Sequence, residues 1–150
     1  MLSFVLYKKP KASLYTKFEI SKSYGGTREI WAPDKDLKLI QYRLAQLLQN
    51  CMEEINARHE HAEDDVHHGL AHGFKRKHTI MTNARGHVTR RYVFNVDLRD
   101  FFGSINFGRV RGFFMKDKNF ALQPNVATVL AQIASHENKL PQGRDRKSVV

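Results

Sequence analysis

Cysteine is almost missing from this chain: Cys51 stands alone among 150 residues. A single thiol excludes an internal disulfide framework and fits a reducing compartment. Long hydrophobic runs are missing as well. No apolar stretch approaches the roughly 18 to 20 residues needed to cross a bilayer, so no membrane partner is expected. Met1-Leu-Ser-Phe-Val-Leu-Tyr7 is a short apolar run with no basic region before it and no clear cleavage site. A secretory signal is therefore not expected, and a cytoplasmic location is. Internal repeats and low-complexity tracts are absent. Acidic residues are in deficit, 15 against 25 Lys and Arg, for a formal charge of +10.

What is present suits a folded, basic protein. A hydrophobic share of 41% in 150 residues is enough for an ordinary domain with a real core. The excess charge is clustered. Lys75, Arg76, Lys77, Arg85, Arg90 and Arg91 crowd one segment, and Arg109 and Arg111 follow a little later. Such clustering favours a polyanionic partner over a merely solubilising surface, because each Lys or Arg contact to a phosphate releases counterions. Few aromatics lie within the basic cluster, so charge alone does not separate single strands from duplexes.

Periodicity predicts an α+β fold. Tyr15-Thr-Lys-Phe-Glu-Ile20 alternates as a strand, Ser23-Tyr-Gly-Gly-Thr27 supplies a turn, and Arg28-Glu-Ile-Trp-Ala32 returns. The two glycines provide the positive φ that such a hairpin needs. Pro33-Asp-Lys-Asp36 opens a helix with Asp34 or Asp36 as its cap. Leu37, Ile40, Leu44, Leu47, Leu48, Cys51 and Ile55 form its apolar face. Residues 58–87 read as loops with one short helix. Tyr92 to Asp97 reads as a strand. Asn106 caps a helix with Phe107, Val110, Phe113 and Phe114 on its apolar side. Pro124 begins another, carrying Val126, Val129, Leu130 and Ile133. Leu140-Pro-Gln-Gly143 follows that helix as a break.

The stretch Tyr92-Val-Phe-Asn-Val-Asp-Leu-Arg-Asp-Phe-Phe-Gly-Ser-Ile105 carries the chemistry. Its apolar run delivers Asp97 to a strand end, where a carboxylate is costly to bury unless it is paired or holds a cation. Spacing alone leaves Asp97 evenly divided between metal ligand and structural carboxylate. Asp100, at an odd offset, would face the other side of a strand and is expected to cap the next turn. Phe101 and Phe102 are core residues by default. Seven of the eight histidines lie between His59 and His87, which invites a zinc-binding interaction domain. Without a cysteine pair or a His-Glu-x-x-His element, exposed or capping histidines are favoured. Lys22 and Arg28 flank the Gly-Gly turn. Cations on a hairpin tip can grip a triphosphate, although on sequence alone solvated surface charges are favoured.

Several of these elements occur together and in one order. Tyr15-x-x-Phe-x-Ile-x-Lys22, Gly-Gly-x-Arg-x-Ile-x-Ala-Pro33 and Leu37 to Arg43 resemble the fingers of bacterial reverse transcriptases, with Ser21 where the family often has proline. His72-Gly-Phe74 and Asn83-Ala-x-x-His87 resemble the retron branch. Val96-Asp-Leu-Arg-Asp-Phe-Phe102 resembles the first palm motif, and Leu140-Pro-Gln-Gly143 the start of the second. Retron and group II intron relatives share much of the fingers, so the branch rests on fewer residues than the family.

The resemblance implies a fingers region with an N-terminal extension over residues 1–91 and the beginning of a right-hand palm over 92–143. It implies RNA-directed DNA polymerisation with two Mg2+ ions, an RNA template, a DNA or RNA primer and deoxynucleotide triphosphates. Asp97 and the Leu98 backbone carbonyl would ligate metal. Lys22 and Arg28 would hold the triphosphate, and Phe102 would exclude a ribose 2′-hydroxyl. Gln142 and Gly143 would line the nucleotide pocket. Lys75, Arg76, Lys77, Arg90 and Arg91 would contact template or primer phosphates.

The family's Tyr-x-Asp-Asp motif and thumb have no counterpart in these 150 residues. The chain is therefore expected to be inactive alone, with the palm strand left as an unpaired apolar edge. After Gly143 the family usually continues with small residues and Ser-Pro, whereas this chain reads Arg144-Asp-Arg-Lys-Ser-Val-Val150. Residues 145–150 back-translate as GAT CGG AAG AGC GTC GTG, which resembles a common sequencing adapter. Residues 144–150 are accordingly expected to be a non-native tail at an assembly edge. The alternative to a polymerase portion is a non-catalytic basic nucleic-acid-binding module. No residue specifies the template, an associated effector protein or a role in antiviral defence.

Overall fold

The computed structural model describes residues 2–21, 25–59, 73 and 76–141. It is an α+β chain in which a β-hairpin is followed by several helices. The described residues within Met1–Arg43 and Arg99–Val150 form one compact unit, and those within Leu44–Leu98 a second.

In the first unit, β1 (Tyr15–Ser21) pairs antiparallel with β2 (Thr27–Pro33), in register from Tyr15 opposite Pro33 to Ser21 opposite Thr27. Gly25 at φ +90° and Gly26 at φ +82° supply the expected left-handed turn residues. Alternation puts Tyr15, Lys17, Glu29 and Trp31 on one face, and Phe18, Ile20, Arg28 and Ile30 on the other. Ile30 is buried in the core. Glu19 and Glu29 stand directly opposite each other, and Lys17 offsets the repulsion with an ion pair to Glu29 at 2.6 Å.

Helix α1 (Lys35–His59) starts where the acidic turn predicted it. Asp34 is the cap: its Oδ1 accepts from the Leu37 amide at 2.9 Å. Leu37 and Ile40 are buried, while Leu44, Leu48, Cys51 and Ile55 are half-buried. Leu47, expected on the apolar face, is exposed because it lies at the margin of that stripe.

The N-terminal segment, to which the sequence reading gave no structure, forms a π-helical turn at Phe4–Lys8 and a 3-10 turn at Lys11–Ser13. Val5 is fully buried, and the Tyr7 hydroxyl donates to Gln132 Oε1 at 3.1 Å. Lys9 pairs with Asp34, and with Asp36 at 3.1 Å, so this segment is fastened to the start of α1.

Four further helices follow: α2 (Ile80–Arg85), α3 (Phe101–Ser104), α4 (Phe107–Lys116) and α5 (Pro124–Ala134). Helix α2, in the second unit, is held by a reciprocal cap between Thr79 and Thr82. Asn106 caps α4, accepting from the Arg109 amide at 2.9 Å, and Pro124 begins α5. Their expected apolar faces need correction. Phe113 and Val126 are exposed, and α5 buries Ala127, Ala131 and Ile133. Beside Ile133, the buried side of α5 is made of alanines four residues apart, which a reading weighted to bulky side chains misses. Phe114 is buried and meets Phe113 and Phe120 at ring distances of 5.3 and 5.4 Å.

After α5, His136 and Lys139 exchange backbone hydrogen bonds of 2.8 and 2.9 Å. Glu137 and Asn138 between them are left-handed, at φ +47° and +59°, as a type I′ turn requires. The Leu140 amide then donates to the Ile105 carbonyl at 3.1 Å, so Leu140 and Pro141 lie against the link between α3 and α4.

Tyr92 to Asp97 is not a strand. It is irregular chain, with Tyr92 83% and Phe94 90% exposed. A strand needs a neighbour for its backbone groups, and no strand among the described residues pairs with this one.

Candidate functional site

A cavity of ≈ 200 Å³ lies within the first unit, where the hairpin, the start of α3 and the turn after α5 converge. Glu29 and Trp31 enter it from β2; Asp100, Phe102 and Gly103 enter from α3 and its cap. His136, Glu137 and Lys139 line the third side, leading to Leu140 and Pro141.

Local chemistry sets these positions. Asp100 takes the cap position of α3 in a left-handed conformation, φ +48°, but its side chain makes no capping bond. Instead its carboxylate lies over Gly103, where a Cβ would come 2.7 Å from Asp100 Cγ. Glycine leaves that space open. The His136 ring packs on Tyr15 at 4.1 Å and on Trp31 at 4.7 Å. Lys17 lies over the Trp31 ring at 5.6 Å. A hydrogen bond to Glu29 holds the Lys17 ammonium pKa above its ordinary value. Burial raises the Tyr15 hydroxyl pKa, partly countered by Gln41 Nε2, which donates to it at 3.0 Å. The same Gln41 nitrogen donates to the Ile133 carbonyl at 2.9 Å, tying β1, α1 and α5 together. Ser135 Oγ and His136 Nε2 are buried without a hydrogen-bond partner among the described residues.

Of the residues singled out from sequence, Asp100 and Phe102 reach this cavity, as do Leu140 and Pro141 of the Leu-Pro-Gln-Gly motif. Arg28 is exposed on the opposite face of the hairpin from Trp31. Asp97 and Leu98 are exposed in the second unit. Arg90 and Arg91 are exposed, with the Arg91 guanidinium over the Tyr92 ring at 5.5 Å. Arg76 is engaged with α1: its guanidinium donates to Asn50 Oδ1 at 2.7 Å and to the Gln46 carbonyl at 3.3 Å, and pairs with Glu53 at 3.4 Å. Lys77 is exposed and left-handed, φ +61°. Lys22, Lys75, Gln142, Gly143 and residues 144–150 lie outside the described residues, as do His61, His67, His68 and His72.

Among the described residues, no group of three His, Cys, Asp or Glu side chains is arranged to hold a metal ion. No described helix is long and apolar enough to cross a membrane. Trp31, His136, Glu137 and Lys139 were not singled out from sequence. Strand alternation could have placed Trp31 beside Glu29, but no local pattern brings residue 136 to residue 31.

No protein-family model matches the chain. Individual proteins do. The retron Mx162 reverse transcriptase of Myxococcus xanthus is 32% identical over 124 residues, 83% of this chain and 22% of that protein. The retron Mx65 reverse transcriptase of the same organism is 38% identical over 98 residues, 65% of this chain and 20% of that protein. The retron Ec86 reverse transcriptase of Escherichia coli is 28% identical over 116 residues, 77% of this chain and 31% of that protein. The chain is a distant homologue of the retron reverse transcriptases and spans between a fifth and a third of the length of these relatives.

Proposed function

We propose that these residues correspond to the fingers and the first part of the palm of a retron-type RNA-directed DNA polymerase. The observation that carries this reading is the match to three retron reverse transcriptases at 28 to 38% identity, in a chain that also holds the fingers and palm motifs in order. In it residues 1–91 are the fingers with an N-terminal extension and 92–143 the start of the palm. The setting is cytoplasmic, and the partners are an RNA template, a primer and deoxynucleotide triphosphates.

Asp97 and the Leu98 carbonyl are the oxygen donors that this segment offers to magnesium. When bound in the complete enzyme, two such ions would activate the primer 3′-hydroxyl and neutralise charge at the α-phosphate. One carboxylate and one carbonyl are too few for two ions, so the 150 residues alone are expected not to polymerise. Phe102 sets the sugar preference by occupying the space of a 2′-hydroxyl. Lys22 and Arg28 grip the triphosphate, with Gln142 and Gly143 beside it.

Lys75, Lys77, Arg90 and Arg91 attract template or primer phosphates. Arg76 does so in competition with its bonds to α1.

A chimera tests the reading. The matching 124 residues of the retron Mx162 reverse transcriptase are replaced by this chain's own, and extension of a primer on RNA is measured. Extension that is lost with Asp97→Ala is expected. A folded chimera without extension, or extension indifferent to Asp97→Ala, would contradict the assignment. The isolated chain is expected to show no incorporation above its own Asp97→Ala control.

A further inference from the structure

Arg109 and Arg111 belong to the basic excess of the chain but to no part of the polymerase assignment. Both lie on α4, two residues apart, and so on different sides of the helix. Arg111 turns inward: its Nε donates to Thr128 Oγ1 at 2.9 Å and ties α4 to α5. Arg109 is exposed, as are Phe113 and Lys116. Positions 109, 113 and 116 fall within an arc of about 60° on a helix, so these three form one stripe.

We infer that this stripe is a docking surface for an unpaired nucleic-acid strand, with a base on the Phe113 ring and phosphates on Arg109 and Lys116. It is additional to the proposed polymerase contacts and independent of metal chemistry.

The ring supplies the first argument. Phe113 is 51% exposed, yet its ring is held by Phe114 at 5.3 Å and Phe120 at 5.6 Å. A ring fixed in place with one side open is a stacking platform for any base.

Charge supplies the second. Helix α4 contains no carboxylate, and the Asp117 that follows it accepts from the Asn119 amide at 2.9 Å. Arg109 donates to the Ser104 carbonyl at 2.9 Å, which steadies the guanidinium. An apolar protein partner would take water from both cations without pairing them, whereas phosphates would pair both. The cations stand about 10 Å apart along the helix, roughly three stacked nucleotides at about 3.4 Å each.

Room supplies the third. Gly112 lies beside Phe113 on this side, and a Cβ there would find no packing neighbour within 4 Å among the described residues. Glycine weakens a helix interior, and no described neighbour demands it here. It leaves the ground beside the ring clear.

Fluorescence anisotropy follows the intact 150-residue protein with a labelled unstructured RNA and with the DNA strand of the same sequence. Each strand is also tested annealed to its complement. Saturable binding to both strands is expected. Phe113→Leu should weaken it at least about fivefold, the lower end of base stacking, and Phe113→Trp should retain it. Duplex affinity should not change with Phe113→Leu, because a duplex keeps its bases stacked on one another. Arg109→Ala and Lys116→Ala should each lower the single-strand salt slope by about 0.7. Lys35→Ala, an exposed cation elsewhere in the same unit, should leave that slope unchanged.

No saturable binding to either strand overturns the inference. So does unchanged strand affinity in folded Phe113→Leu, or an equal loss for the duplex. A loss confined to RNA or to DNA overturns it too, since phosphates and base faces are common to both. Unchanged slopes in Arg109→Ala and Lys116→Ala, or the same fall in Lys35→Ala, overturn the phosphate contacts. Circular dichroism verifies that each variant is folded, and the two exposed cation variants decide the matter if Phe113→Leu does not fold. The chimera assay is separate: primer extension without these effects removes this inference alone, and these effects without extension remove the polymerase reading alone.

Discussion

Tyr15 links local burial to a measurable pH dependence. Its hydroxyl is buried at the base of β1, which raises its pKa from 10.0. The folded chain therefore holds this proton more tightly than the unfolded chain does. The stability it contributes is fully present below about pH 10 and is lost as pH rises through the raised folded value. Tyr15→Phe should flatten the alkaline fall in thermal melts recorded above pH 10, with Lys17 unchanged in both proteins. An alkaline limb of unaltered slope would show that the burial has no such consequence. Asp34 gives a second residue-scale test. Its carboxylate caps α1 and receives Lys9. Asp34→Ala should cost about 1 kcal/mol through the cap alone, read from urea denaturation. Asp36 stays near Lys9 and limits any further loss.

Among the elements, α5 buries side chains that are small. Ala127 and Ala131 are fully buried, so Ala131→Leu should cost about 1 to 3 kcal/mol by overpacking. Val126→Leu, on an exposed position of the same helix, should change stability by less than about 0.5 kcal/mol. Similar losses from both would mean that Ala131 does not lie in a tightly packed environment. The hairpin shows how far an element can be read in advance. Its strands and its two turn glycines follow from alternation and turn chemistry, and they appear in the structure, which adds the register. Helix α1 likewise begins at the acidic turn. The buried side of α5 was legible only in part: Ile133 is buried and Val129 and Leu130 are half-buried as expected, but hydrophobic periodicity identifies large side chains and passed over Ala127 and Ala131.

At the scale of the whole molecule, the exposed run from Tyr92 to Leu98 sets solution behaviour. Tyr92, Phe94, Val96 and Leu98 all present apolar surface to solvent. Despite a charge of +10, the isolated chain should self-associate through this run. Phe94→Lys with Val96→Lys should lower the associated fraction in sedimentation velocity. A wild-type chain that stays monomeric and melts cooperatively would refute the expectation. Under the proposed polymerase reading, the same net charge is expected to govern nucleic-acid binding. For single-stranded RNA, loss of one phosphate contact should reduce the salt slope by about 0.7. Arg90→Ala and Arg91→Ala are each expected to do so, and an unchanged slope would remove them from the contact set.

By itself, the sequence determined the α+β class, the hairpin, a cap at Asp34 or Asp36, the cap at Asn106, and the order of motifs that resembles reverse transcriptases. These depend on neighbours a few residues apart, or on residue identity within short runs. Only the tertiary structure brought Phe102 to Trp31 and His136, anchored the N-terminal segment through Val5 and Lys9, and left residues 92–98 without strand pairing among the described residues. Each of these depends on residues distant in the chain becoming neighbours, or failing to. Short-range spacing carries no record of that.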